Sequence, residues 1–354
     1  NAGGITTRLI AAAKLLLGRL PHALAHVCLV ANLMLASIMG SATAQIAVMS
    51  QVMVPEMERD GYRRSFAAAL TAAAGMLGPV IPPSMIFIIY GVVAQVSVAQ
   101  MFLAGILPGL LLFALLTILI TVRAPDHATV ETPAEPAERR VGRVLLSAVV
   151  GLTIPAVIVF GIAFGVVTPT ESAAIALALA LVLSAVVYRD LAWRDIEPIL
   201  TRTALNSALV LFLISTAKVF GFVLTFNRVP QEIALVLQSL TEDPTMFLLL
   251  VFALALVVGA FIDGIAALIV MVPILLPVAT SVYGIDPIQF GVVVSMTLTI
   301  GLLTPPVGTG LYVASAVADV PLPALLREIA PFVATTIVVI VLVALFPAFT
   351  GLLR

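Results

Sequence analysis

Long apolar stretches alternate with short polar loops along the whole chain, and many of the stretches approach the roughly 20 residues a helix needs to cross a bilayer. Residues 8–20 carry Arg8, Lys14 and Arg19 on an apolar background. That pattern predicts a helix lying at the membrane surface, or the tail of an earlier span. Residues 21–54 are nearly free of charge, have charged flanks and hold Gly40-Ser41 at their middle. Each limb is short for a span, which favours a re-entrant hairpin over about 21–54 with its tip at Gly40-Ser41; one tilted span is the alternative. The polar loop 55–65 leads into an apolar segment at about 66–96, and a clean span follows at about 99–121. Residues 123–143, rich in Pro, Ala, Glu and Arg, read as a solvent loop between two halves. Spans are predicted at about 144–167, 172–188 and 203–226, then an amphipathic piece at 229–240. Residues 244–280 repeat the hairpin pattern, with Gly259 and Phe261-Ile262-Asp263-Gly264 at the turn. An apolar segment at 287–318 and a last span at about 325–349 complete the chain.

The segments 66–96 and 287–318 share an interruption, Gly-x-x-x-Pro-Pro, at Gly78 to Pro83 and again at Gly301 to Pro306. Proline lacks the N–H that a helix needs and clashes with the preceding turn, so each copy predicts a broken helix. Gly40 precedes Pro82 by 42 residues, and Asp263 precedes Pro305 by 42. The order hairpin, polar turn, broken helix thus occurs twice at one spacing. An odd number of predicted crossings separates the copies, so the second enters the bilayer from the opposite face. The predicted fold is an all-α polytopic membrane protein with an inverted-topology repeat, two re-entrant hairpins and two discontinuous helices, an organisation found in secondary transporters. The parts are an interfacial or scaffold helix (1–20), a first repeat (21–122), a cytoplasmic loop (123–143), scaffold spans (144–228) and a second repeat (229–354).

Composition agrees. Hydrophobic residues make up 62% and charged residues 10% of the 354 positions, and mean hydropathy is +1.23, well outside the soluble range. A net charge of −1 gives no basic field for nucleic acid. The single cysteine, Cys28, excludes an intrachain disulfide. The chain begins at Asn1 without a signal-peptide pattern, as a fragment would. The predicted topology places 14 of the 17 basic residues on the face from which the first hairpin enters, so that face is read as cytoplasmic.

Hairpin tips and helix breaks put unpaired carbonyls and N–H groups near the middle of the bilayer, where the former attract cations and the latter anions. The sodium candidates are Ser37, Gly40, Gly259, Asp263, Thr299, Gly301 and Thr304. Candidates for an anionic solute are Ser41, Thr43, Pro82, Pro83, Ser84, Pro305, Pro306 and Gly308. Asp263 is the sharpest of these: a carboxylate flanked by apolar runs is costly unless it binds a cation, titrates or caps the second limb. Glu171 reads as a helix cap, and Lys218 as a snorkelling residue or the balance of a buried acid. His22 and His26 lack a third metal ligand nearby. Three histidines, one cysteine and a lone Asp263 leave little for catalysis, so no enzyme is expected.

Gly3-Gly4-Ile5-Thr6, Gly40-Ser41-Ala42, Val54-Pro55-Glu56-Met57, Asp60-Gly61-Tyr62 and Gly78-Pro79-Val80-Ile81-Pro82-Pro83-Ser84 form an ordered set. It continues through Phe102-Leu103-Ala104-Gly105, Thr168-Pro169-Thr170-Glu171, Gly284-Ile285-Asp286-Pro287 and Thr304-Pro305-Pro306-Val307-Gly308. The set resembles the large membrane subunit (DctM or SiaM type) of tripartite ATP-independent periplasmic (TRAP) transporters. The resemblance implies a multi-pass protein of a bacterial inner membrane that imports a small organic anion, such as a C4-dicarboxylate or sugar acid, with Na+ as coupling ion and no organic cofactor. It implies a periplasmic solute-binding protein and a small membrane subunit of the DctQ type as partners, and an elevator motion of the hairpins and broken helices. A binding-protein-independent sodium/anion or proton/anion carrier of similar fold is the alternative. Many relatives carry an Asp shortly after the Gly-Ser tip where this chain has Thr43-Ala44-Gln45, which leaves carbonyls and hydroxyls to hold an ion there. Relatives also carry roughly two spans before the Gly-Gly-Ile-Thr motif, so this chain is expected to be N-terminally truncated.

Overall fold

The computed structural model describes residues 5–17, 22–124, 137–187 and 192–353, and these are helical with no strand among them. Ile5–Leu17 forms α1, Ala23–Met39 α2, Ala42–Arg59 α3 and Arg64–Gly75 α4; Met85–Ala94 forms α5 and Val98–Arg123 α6. Ala137–Ala163 forms α7 and Pro169–Val182 α8, which runs on into a π-helical turn over Leu183–Val187. Trp193–Phe226 is α9, Val229–Leu240 α10, Pro244–Phe261 α11, Gly264–Ser281 α12 and Pro287–Gly301 α13. Thr309–Ala318 (α14), Leu322–Leu345 (α15) and the short Ala348–Gly351 (α16) close the chain. Among the described residues, six apolar stretches, within α6, α8 with its π turn, α9, α11, α12 and α15, are long enough to cross a membrane.

Two helices sit at the centre. Every residue of α4 from Phe66 to Gly75 is buried, as is every residue of α13 from Ile288 to Gly301. In α4 six alanines (67–69 and 72–74) keep the helix slim, so that α2, α3, α14 and α15 all reach it. Around α13 pack α5, α6, α11, α12 and α15. The two halves also exchange partners: α14 packs on α3 and α4, while α12 packs on α5. Arg64 ties one such exchange, donating from Nε to the carbonyl of Ala318 (2.6 Å) at the C-terminus of α14 and pairing with Glu58.

Both interrupted helices stop earlier than the diprolines suggest. After Gly75 the chain tightens into successive i→i+3 turns: Met76 donates to Ala73, Leu77 to Ala74 and Gly78 to Gly75. Pro79 has no N–H to continue the series, and Ser84 then caps α5. The second copy does the same, with Leu302, Leu303 and Thr304 donating to Thr299, Ile300 and Gly301. The peptide bonds Pro82–Pro83 and Pro305–Pro306 are both cis.

Elsewhere α1 buries Leu9, Ile10, Ala12 and Ala13 against α2 and α7. Residues 137–143, read as loop, belong to α7, while residues 125–136 of the same predicted loop lie outside the described set. The segment 325–349 divides into α15 and α16 around Pro347, which cannot donate to the preceding turn.

Candidate functional site

The tips of the two helical hairpins meet. Between α2 and α3 the chain turns at Gly40, whose φ of 60° suits glycine, and at Ser41, which is extended. Between α11 and α12 it turns at Ile262 and Asp263. Both tips line one cavity of about 50 Å3, formed by Gly40, Ser41, Ala42, Thr43, Pro79, Met85, Ile86, Asp263, Gly264, Ile265, Thr299 and Leu302. The first turns of α3, α5 and α12 all open onto it. Three helix N-termini give it positive potential, although the N–H groups of Met85 and Ile265 are already engaged, by Gly40 O and by Asp263. Gly40 at the end of α2 and Thr299 and Leu302 at the end of α13 also line it, and Asp263 supplies the one carboxylate in the lining. The volume suits an ion or a few water-sized groups. A site that encloses an organic acid takes roughly 300 Å3 or more, so the tips are drawn close together in this conformation.

Asp263 caps α12: one carboxylate oxygen accepts from the N–H of Ile265 at 3.0 Å. The Ser41 and Thr43 hydroxyls lie 3.4 Å apart. The Thr299 hydroxyl donates to Ser295 O at 2.7 Å and keeps its lone pairs. Each tip is tied to the break of its own half. Met85 N–H reaches Gly40 O at 3.4 Å, and the N–H groups of Val307 and Gly308 reach Ala260 O at 3.2 and 3.1 Å.

Of the residues singled out in the sequence, Gly40, Ser41, Thr43, Asp263 and Thr299 come together in the cavity lining. The others lie outside it. Ser37 is half-buried in the last turns of α2. Gly259 and Gly301 face each other where α11 crosses α13, and a Cβ on Gly301 would stand 2.5 Å from the carbonyl carbon of Gly259. Thr304 donates its hydroxyl to Ile300 O at 3.0 Å. Pro82 is buried, Pro83 half-buried, and Ser84 donates to Pro79 O. Pro305 and Pro306 are exposed, and Gly308 is buried at the start of α14.

Sequence reasoning passed over a polar chain beneath the first tip. Gln45 donates from Nε2 to both Asn32 O (2.7 Å) and Asn32 Oδ1 (2.9 Å). Asn32 donates to Cys28 O at 2.8 Å, and the Cys28 thiol lies 3.5 Å from the Thr71 hydroxyl. All four side chains are fully buried, and Gln45 Oε1 has no hydrogen-bond partner among the described residues. That oxygen faces Gly78 in the first break, where a Cβ would stand 2.6 Å from it. The signal available was Asn32 and Gln45 themselves, two amides in an otherwise apolar block. Tyr90 is a second such link: its hydroxyl donates to Pro287 O, so α5 in the first half holds the start of α13 in the second.

Residues 1–349 match the family model described as the tripartite ATP-independent periplasmic transporter, DctM component. Similar curated proteins include the sialic acid TRAP transporter large permease protein of Vibrio cholerae, 38% identical over 100% of this chain and 82% of that protein. The C4-dicarboxylate TRAP transporter large permease protein of Pseudomonas aeruginosa is 34% identical over 98% of this chain and 81% of its own length. The isethionate TRAP transporter permease protein of Oleidesulfovibrio alaskensis is 35% identical over 98% of this chain and 55% of its own length.

Proposed function

The chain belongs to the DctM component family of tripartite ATP-independent periplasmic transporters, and from that premise we propose that it carries a small organic anion across a bacterial inner membrane by sodium-coupled uptake. It is a transporter permease and a multi-pass membrane protein. The solutes named for its relatives, sialic acid, C4-dicarboxylate and isethionate, are all organic acids. The same family naming supports a small membrane subunit and a periplasmic solute-binding protein as partners.

The observation that carries the reading is the meeting of both hairpin tips at one cavity. Three helix N-termini suit the acid group of a solute, with the Ser41 and Thr43 hydroxyls as further donors. The Asp263 carboxylate, Thr299 and the carbonyl of Gly40 offer the hard oxygens that sodium takes. Gly259 and Gly301 then serve by letting α11 approach α13 and so fixing where Asp263 stands, and Ser84 serves by capping α5. The exchange of partners between halves supports an elevator motion in which α2–α5 and α11–α14 travel as one body.

The test is uptake of radiolabelled acid into proteoliposomes holding the permease with its small subunit and binding protein. Uptake is expected to need an inward sodium gradient and the binding protein. Equal uptake with the sodium gradient collapsed refutes sodium coupling, and equal uptake without the binding protein favours a self-sufficient anion carrier.

A further inference from the structure

A second crevice, of about 350 Å3, opens between α9 and the pair α5 and α12, and shares no residue with the tip cavity. Its walls are apolar apart from Gln95, Thr225 and Lys218. Lys218 is the only charged group in the lining. It stands eight residues before the end of α9, about 12 Å along the axis, in a span whose neighbouring side chains Val219, Phe222, Val223 and Phe226 are exposed.

An ammonium at that depth is costly unless an anion or a polar surface receives it. No carboxylate among the described residues lies within ion-pairing distance of Lys218, and no described group accepts a hydrogen bond from it. The two other polar side chains are partly engaged: Thr225 donates to Gly221 O at 2.8 Å, and Gln95 donates one amide proton to Val92 O. The crevice has a firm floor, since Gly221 brings α9 against α12 and a Cβ there would stand 3.2 Å from Pro273. The result is one unpaired cation at the head of an apolar cleft that continues onto an exposed apolar helix face.

We propose that this crevice binds the phosphate headgroup of an anionic phospholipid, with Lys218 reaching toward the helix end as its counter-ion beside Thr225 and Gln95, and the acyl chains running inward along the exposed Leu211 and Phe212. The amphiphilic lining separates a lipid from a small free acid: a dicarboxylate would gain one cation and leave its remaining charge against apolar walls. The inference rests on α9 spanning the bilayer and is independent of sodium coupling. Bound at the seam between α9 and the second hairpin, the lipid sits where the two would slide past each other.

The experiment uses the permease with its small subunit in nanodiscs of phosphatidylcholine, alone or with phosphatidylglycerol, comparing the wild type with Lys218→Met and Lys218→Arg. Thermal unfolding and the lipid retained in native mass spectra are the readouts. Wild type and Lys218→Arg are expected to retain phosphatidylglycerol about fivefold better than Lys218→Met, the effect of one basic side chain on an anionic lipid. Phosphatidylcholine retention should be the same in all three. Equal phosphatidylglycerol retention in the three proteins overturns the proposal. So does a Lys218-dependent thermal shift with succinate in pure phosphatidylcholine, which would assign the crevice to a free acid.

Discussion

Replacing Gly301 by alanine tests whether the second hairpin tip is positioned by the crossing of α11 and α13. The added Cβ would stand 2.5 Å from the carbonyl carbon, 2.6 Å from Cα and 2.8 Å from the oxygen of Gly259. These are backbone atoms on both sides, so no side-chain rotation relieves the contact. Carbon atoms pack best at about 3.5–4.0 Å, so the helices must part by about 1 Å. Ala260, the next residue of α11, accepts the N–H groups of Val307 and Gly308 at 3.2 and 3.1 Å. A shift of that size along these bonds would carry both past hydrogen-bonding distance and move Asp263, three residues further on. Overpacking of this kind costs about 1–3 kcal/mol, against at most about 1 kcal/mol regained from alanine's better helix propensity. Gly161→Ala is the milder comparison, because its close contact is with one side-chain atom, Cγ2 of Val167, and not with backbone. Thermal unfolding of the purified permease should fall more for Gly301→Ala than for Gly161→Ala, and sodium should activate uptake less well in the former. A Gly301→Ala protein with wild-type melting temperature and wild-type sodium activation would refute the reasoning.

Three further substitutions separate structure from function. Asp263→Asn keeps a good cap on α12 and removes the charge, so sodium-dependent uptake should be lost with stability retained, whereas Asp263→Ala should also lower stability by about 1 kcal/mol. Unchanged sodium dependence in the Asn variant takes Asp263 out of the ion site. Tyr90→Phe deletes the bond from α5 to Pro287 O while keeping the ring against Gly291, and should destabilise by about 1 kcal/mol in thermal or denaturant unfolding. Arg64→Met removes a charge-assisted bond to the carbonyl of Ala318 and should cost about 1–2 kcal/mol; Arg63→Met, whose ion pair with Glu328 leaves Arg63 74% exposed, should stay within about 0.5 kcal/mol.

Helix interruptions were legible because they rest on local chemistry. Gly40-Ser41 and Ile262-Asp263 fall at turns, and Pro79 and the diprolines fall within unwound segments. The start of each unwinding was less so: Met76, Leu77, Leu302 and Leu303 are ordinary helix formers, and the i→i+3 tightening ahead of the prolines has no composition of its own. Spatial convergence was legible only in part. Asp263 and Ser41 stood out as polar groups in apolar runs. Gly259 and Gly301 stood out equally, and nothing in the sequence distinguishes a glycine that meets a ligand from one that meets another backbone. Asn32, Gln45 and Tyr90 act through partners 13 to 197 residues away in the chain, a range that no local pattern encodes.

The exchange of partners between halves bears on how the chain can be assembled. Because α14 covers α3 and α4 while α12 covers α5, neither half completes its own interior. A polypeptide ending at Ala124 would leave α4, with its buried Phe66 and Leu70, without the cover of α14 and α15. Two separately made pieces, one ending at Ala124 and one beginning at Ala137, would therefore be expected to mature only together in one membrane, each acting as template for the other.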